Sequence, residues 1–227
     1  MKRVVVTGLG MISPLANNVE ESWERLLNGE CGILKIQSYD ASEMPVQIAA
    51  EVKNFNPMDF GIEKKEVKKL ARNTQFAIAA SKMALEDSGL SLETMNPFDI
   101  GVVISSGIGG MEIFEEQHKN MLDKGIKRIS PFTIPAMISN MAAGNVAIYL
   151  GLQGPNKSVV TACASGTNSI GEAFEEIKLG KAKVMLAGGT EAAITSFAQN
   201  AFANMKALSD THNEEPQKAS RPFSKDR

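Results

Sequence analysis

Cys163 stands in the run Ser158-Val159-Val160-Thr161-Ala162-Cys163-Ala164-Ser165-Gly166, where a β-branched stretch gives way to small residues. Small neighbours let a strand and the helix after it pack closely while a thiol projects from the turn between them. The nucleophile elbow of serine hydrolases solves the same geometric problem. A thiol at a helix amino terminus faces unpaired N–H groups and the positive end of the dipole, which favours thiolate, the nucleophilic form. The position suits covalent catalysis, with the Cys163 backbone N–H as one donor of an oxyanion hole. On geometry alone, the residue fits a small buried hydrophobe equally well.

The other chemistry-bearing residues are less pointed. Cys31, in Gly29-Glu30-Cys31-Gly32, has no histidine or cysteine neighbour and reads as structural, so no metal site is expected. His118 and His212 lie in polar surroundings and read as solvated. Lys64, Lys65, Lys68, Lys69 and Arg72 form a basic face at helical spacing. Lys124, Lys127 and Arg128 make a second cluster, with Lys206 a further member. Such runs fit plain solvated surface or an acidic partner. Gly8-Leu9-Gly10 opens like a dinucleotide-binding turn, but Ser13 holds the third glycine position and Pro14 follows. No acid ends a second strand about 20 residues on, so a nucleotide-binding oxidoreductase is disfavoured.

These residues need elements to hold them. Val4, Val5 and Val6 stop at a glycine and predict a central parallel strand. Asn18 caps a helix whose apolar stripe is Trp23, Leu26 and Leu27. Residues 30 to 60 read as irregular, and a helix is expected from about Lys64 to Ser88 with Gly89 as its carboxy-terminal cap. A buried strand over Ile100–Ser105 leads through Gly107-Ile108-Gly109-Gly110 into a helix reaching about Leu122. Helices through Met137–Val146 and Ile170–Ile177, a short strand at Ser158–Val160 and another at Val184–Ala187 follow. The tail after Ser209 is polar. Alternating strands and helices predict one α/β domain over residues 1–227, its sheet covered on both faces.

Composition narrows the class. The 227 residues are 43% hydrophobic and 22% charged, with a formal charge of −2, the profile of a globular protein without a nucleic-acid-binding surface. Two cysteines are too few for a disulfide framework, which points to a reducing cytoplasm. The opening apolar run meets Gly8 too early for a signal peptide, and no stretch approaches the ~20 apolar residues that span a bilayer, so no membrane association is expected.

The segment Gly154-Pro155-Asn156-Lys157-Ser158-Val159-Val160-Thr161-Ala162-Cys163-Ala164-Ser165-Gly166, followed by Ile170, resembles the active-site signature of β-ketoacyl-[acyl-carrier-protein] synthases. Val5-Val6-Thr7-Gly8-Leu9-Gly10 with Ser13-Pro14 is similar to that family's start. Ser130-Pro131-Phe132, Gly188-Gly189-Thr190-Glu191 and Ser220-Arg221-Pro222-Phe223 match further motifs in order along the chain. The likeness is greatest to the long-chain bacterial branch, synthase II.

The resemblance implies a thiolase-like fold, of which this chain is the amino-terminal half: a five-stranded mixed sheet covered by helices, with the carboxy-terminal half absent. It implies that Cys163 carries an acyl thioester while malonyl-acyl-carrier-protein decarboxylates and its carbanion attacks, giving a 3-oxoacyl chain two carbons longer. The two histidines and the lysine that assist in the family lie outside these residues, and neither His118 nor His212 matches them, so the chain alone is expected to lack full condensing activity. Ile108 matches the acyl-pocket gate and Phe202 a pocket aromatic; Met111 and Met137 are candidates for the same lining, as flexible thioethers adapt to alkyl chains, or for plain core packing. Acyl carrier protein is the expected partner, docking on Lys64, Lys65, Lys68, Lys69, Lys127, Arg128 and Lys206 with help from electrostatic steering. Phosphopantetheine arrives on that partner; no cofactor of the chain's own is expected. A homodimer is also implied. The alternative is a non-catalytic scaffold or dimerisation module of the same fold.

Overall fold

The computed structural model describes residues 3–225. In chain order the helices are α1 (Val19–Leu27), α2 (Lys64–Val67), α3 (Arg72–Ser88), α4 (Met111–Lys124), α5 (Thr133–Met137), α6 (Met141–Leu150), α7 (Ser165–Lys178) and α8 (Ser196–Asn204). The strands are β1 (Leu34–Lys35), β2 (Ile48–Ala49), β3 (Ile100–Ser105), β4 (Asn156–Lys157) and β5 (Val184–Gly189). The chain divides into two compact units: Asn56–Ala192 with the stretch up to Gly10, and Met11–Phe55 with the residues from Ala193 onward.

The first unit is built on a parallel sheet in the order β4-β3-β5. All six residues of β3 are buried, as a strand covered on both faces requires. Ile100, Val102 and Ile104 face α3 and α6, where Ile78, Leu85, Ala142, Ala143 and Val146 complete the main apolar cluster. Ser105, which alternation puts on the opposite face, meets α7 through Ser169. Helix α3 closes at Gly89, whose φ of +66° is the left-handed turn expected at that position. In the second unit β1 and β2 form an antiparallel pair, and Val46, Ile48, Ala203 and Ala219 make a small cluster. Asn18 caps α1 by accepting the Glu21 N–H, as its position in the sequence predicts.

The expected five-stranded mixed sheet does not form among the described residues: the strands fall into a parallel sheet of three and a separate antiparallel pair. Val4–Val6 pair with nothing as a strand, and Val5 and Val6 are 65% and 77% exposed. What holds this segment is close glycine packing on α3, where a Cβ at Gly8 or Gly10 would run into the Ala84 or Ala80 carbonyl, together with a hydrogen bond from Leu9 N–H to Asp87. The long helix expected from Lys64 breaks between α2 and α3, because Ala71 is extended at ψ 155° and the Gln75 amide takes over the Val67 and Leu70 carbonyls. The strand expected at Ser158–Val160 lies two residues earlier, at Asn156–Lys157. On α1, Trp23, Leu26 and Leu27 are exposed, so the predicted stripe is present in sequence but not buried.

Candidate functional site

The site is assembled at the carboxyl ends of the parallel strands, where Ser105 of β3 registers with Gly189 of β5. In open α/β sheets this end is where ligands bind. Past β4 the chain leaves the ladder, and buried side-chain hydroxyls take over its amides. The Val159 N–H donates to Ser105 Oγ (2.7 Å), which also pairs with Ser169 Oγ at 2.6 Å. The Thr161 N–H donates to Ser165 Oγ (2.9 Å), and that hydroxyl donates to the Ala162 carbonyl (2.7 Å). Ser105, Ser165 and Ser169 are all buried.

These bonds hold a single 3-10 turn, Ala162–Ala164, immediately ahead of α7. Within it Ala162 has φ +51°, a left-handed conformation that costs a non-glycine residue about 1–2 kcal/mol. The turn leaves Cys163 exposed, with a free thiol. Strand and helix approach as the small residues allow: a Cβ at Gly189 would stand 2.8 Å from the Gly166 Cα.

Farther along α7, Glu176 is 3% exposed and accepts from Lys157 Nζ of β4 at 2.5 Å and from Lys181 Nζ at 3.3 Å. The Lys157 hydrogen bond is the main cause holding the Glu176 carboxyl below the usual carboxylate range, with burial opposing it. The same contact raises the Lys157 ammonium. The helix that follows the cysteine is thus ionically fixed to the strand that precedes it.

A second turn faces the first. After β3, the Glu191 carboxylate accepts from Ser106 Oγ (3.0 Å), Gly107 N–H (2.9 Å) and Ile108 N–H (3.1 Å). A Cβ at Gly107 would lie 3.5 Å from the Ala162 carbonyl oxygen, so this turn rests beside the cysteine's own. Gly110 donates to the Met137 carbonyl, and Gly109, at φ +81°, approaches the same carbonyl. Ile108, Met111 and Met137 are therefore gathered at one turn, each half-buried. Phe202 is half-buried on α8 of the second unit. Glu112 of α4 caps α3 by accepting the Arg72 N–H, while its other carboxylate oxygen is buried without a hydrogen-bond partner. Burial is the main cause pushing the Glu112 carboxyl up, against the Arg72 N–H.

The basic cluster is less uniform than its spacing suggests. Lys65 pairs with Glu63, and Lys69 pairs with Glu66 while lying 5.2 Å over the Phe132 ring. Arg72 is half-buried and stacks on Phe76, so it does not belong to an open cationic face. Lys64, Lys68, Lys127 and Arg128 are exposed and in no salt bridge among the described residues. Lys206 is exposed in the second unit at φ +58°. His118 is exposed and stacked on Phe114. His212 is not simply solvated: it is half-buried, with Nδ1 bonded to Thr211 and Ser209 and Nε2 to Arg221. Cys31 is exposed. No group of side chains suited to a metal ion occurs among the described residues, and no helix among them is long and apolar enough to cross a membrane.

Residues 1–226 match the family model described as "Beta-ketoacyl synthase, N-terminal domain". The chain is 48% identical, over all its length, to the 3-oxoacyl-[acyl-carrier-protein] synthase 2 of Synechocystis, and covers 54% of that protein. A β-ketoacyl synthase crystal structure from Burkholderia phymatum superposes with a TM-score of 0.87 at 31% identity, covering all of this chain and 55% of that one. A ketosynthase solved in complex with its type II polyketide acyl-carrier protein matches in fold, with a TM-score of 0.75 at 24% identity over 92% of this chain and 56% of that one. The chain spans about half the length of the curated relatives it matches.

Proposed function

This chain belongs to the β-ketoacyl synthase family, and from that premise we propose that it forms the acyl-accepting half of a decarboxylative condensing enzyme of fatty acid elongation. Cys163 is the acyl acceptor. Its sulfur attacks the thioester carbonyl of an acyl-carrier-protein, the carrier's thiol leaves with a proton, and the acyl group stays on Cys163. Malonyl-acyl-carrier-protein then loses carbon dioxide; its carbanion attacks the Cys163 thioester, releases the sulfur and yields 3-oxoacyl-acyl-carrier-protein. The backbone N–H of Cys163 serves the tetrahedral oxyanion. The observation that carries the reading is the exposed Cys163 thiol on a turn whose left-handed Ala162 is braced by buried serine hydroxyls. Ile108, Met111 and Met137, gathered at one turn, line the acyl pocket.

The partner is acyl carrier protein, which delivers phosphopantetheine; the chain works in the cytoplasm as a homodimer. The carrier docks on Lys64, Lys65, Lys68, Lys69, Lys127 and Arg128. Lys69 over Phe132 supports placing the first basic cluster beside the 126–132 segment. The cations in no salt bridge there contribute most to steering, and their effect fades with salt. Incubation with acyl-carrier-protein charged with a fatty acyl group should raise the intact mass of the chain by one acyl group, and Cys163→Ser should abolish it. Lys64→Glu with Lys68→Glu should slow the transfer at low salt. A folded chain that gains no acyl group would favour the scaffold module instead.

A further inference from the structure

We infer that Glu191 is a positioning residue that sets which acyl chains reach Cys163, an inference that rests on Cys163 being the acyl acceptor. Glu191 follows β5 directly, and its carboxylate spans to the turn after β3, holding Ser106 Oγ, Gly107 N–H and Ile108 N–H together. The bracing continues inward, because Ser106 Oγ also accepts from Gly109 N–H at 2.9 Å and from the Asn73 amide at 3.3 Å. Thr190, next to Glu191, fixes the strand end by donating its hydroxyl to the Asn73 carbonyl at 2.6 Å. One exposed side chain thus fixes the backbone of a turn whose Gly107 lies against Ala162, one residue before the cysteine.

A carboxylate suits this place because it only accepts, and three donors converge on it. A glutamine of the same shape would bring an amide NH2 to a site lined by donors and leave at least one of them unmatched. It can still keep its one oxygen on the Gly107 and Ile108 N–H groups and lose only the Ser106 hydroxyl, so it is removal of both oxygens, as in Glu191→Ala, that frees the Gly107–Ile108 backbone beside the cysteine turn. The fold does not depend on this carboxylate for its core, since Val102, Val103 and Ile104 are buried without it.

The test uses the 227-residue chain carrying Cys31→Ser, so that Cys163 is the single thiol. Cys163 is alkylated with N-ethylmaleimide and N-dodecylmaleimide, and hydrogen exchange is followed by mass spectrometry. Glu191→Ala should speed exchange at Gly107 and Ile108 by roughly tenfold, the loss expected for a charged hydrogen bond, with β3 unchanged. It should also shrink the parent's discrimination between the two reagents by a similar factor, while Glu191→Asp restores part of it. Faster exchange with an unchanged ratio would overturn the inference, as would a parent that does not discriminate. If Glu191 controls the ratio but the chain takes no acyl group from carrier protein, the acyl-acceptor reading fails and the positioning role survives.

Discussion

Two valine runs in one unit have opposite fates. Val4-Val5-Val6 and Val102-Val103-Ile104 are both β-branched and both lead to a glycine, at Gly8 and Gly107. The second run is the middle strand of β4-β3-β5, with Val102 and Val103 wholly buried; the first is unpaired as a strand and open at Val5 and Val6. Composition states that a segment tolerates burial. A ladder partner on each side and a helix on each face decide whether it is buried.

The sharpest way to break this contrast is to place one charge in each run. Val103→Asp should destabilise the fold by more than about 4 kcal/mol in urea titration, because a buried carboxylate finds no partner. Val6→Asp should stay within about 0.5 kcal/mol. Equal losses would show that the first run is buried in solution.

The same contrast, partnered against unpartnered, holds between two acids. Glu176 is matched by Lys157 and Lys181, whereas Glu112 has one carboxylate oxygen buried without a hydrogen-bond partner. Glu176→Gln should cost roughly 1–3 kcal/mol at neutral pH. The Glu176 carboxyl is held low, so its contribution is present above the ordinary carboxylate range and is lost as the pH falls through its depressed value. The penalty of the substitution should therefore disappear in acid. Glu112 works the other way. Its carboxyl is pushed up, so its contribution is complete below the ordinary range and is lost as the pH rises through the raised value. Glu112→Gln, the smaller effect, should raise the melting temperature at pH 8 and leave it unchanged at pH 4.

Much of the site could be read from residue types. The small residues around Cys163 implied a turn between an extended segment and a helix, and Gly107–Gly110 implied a second turn after a buried strand; local sterics govern both. What could not be read depends on distant partners. Nothing near Glu191 announces that its carboxylate will hold amides 83 and 84 residues away, although its motif was visible. Ser105 looks like the last residue of a strand, and its bracing of Val159 becomes evident only once β3 and β4 are aligned. The basic face at 64–72 failed as a single surface because the helix breaks at Ala71, which turns Arg72 onto Phe76.

The most direct test compares the chain's two exposed thiols within one molecule. After exposure to fatty-acyl carrier protein, the chain is digested and the acylated peptide is identified by tandem mass spectrometry. The account predicts acyl groups on Cys163 and none on Cys31. Equal modification of the two, or modification of Cys31 alone, would mean that the braced turn gives Cys163 no special role and would contradict the account.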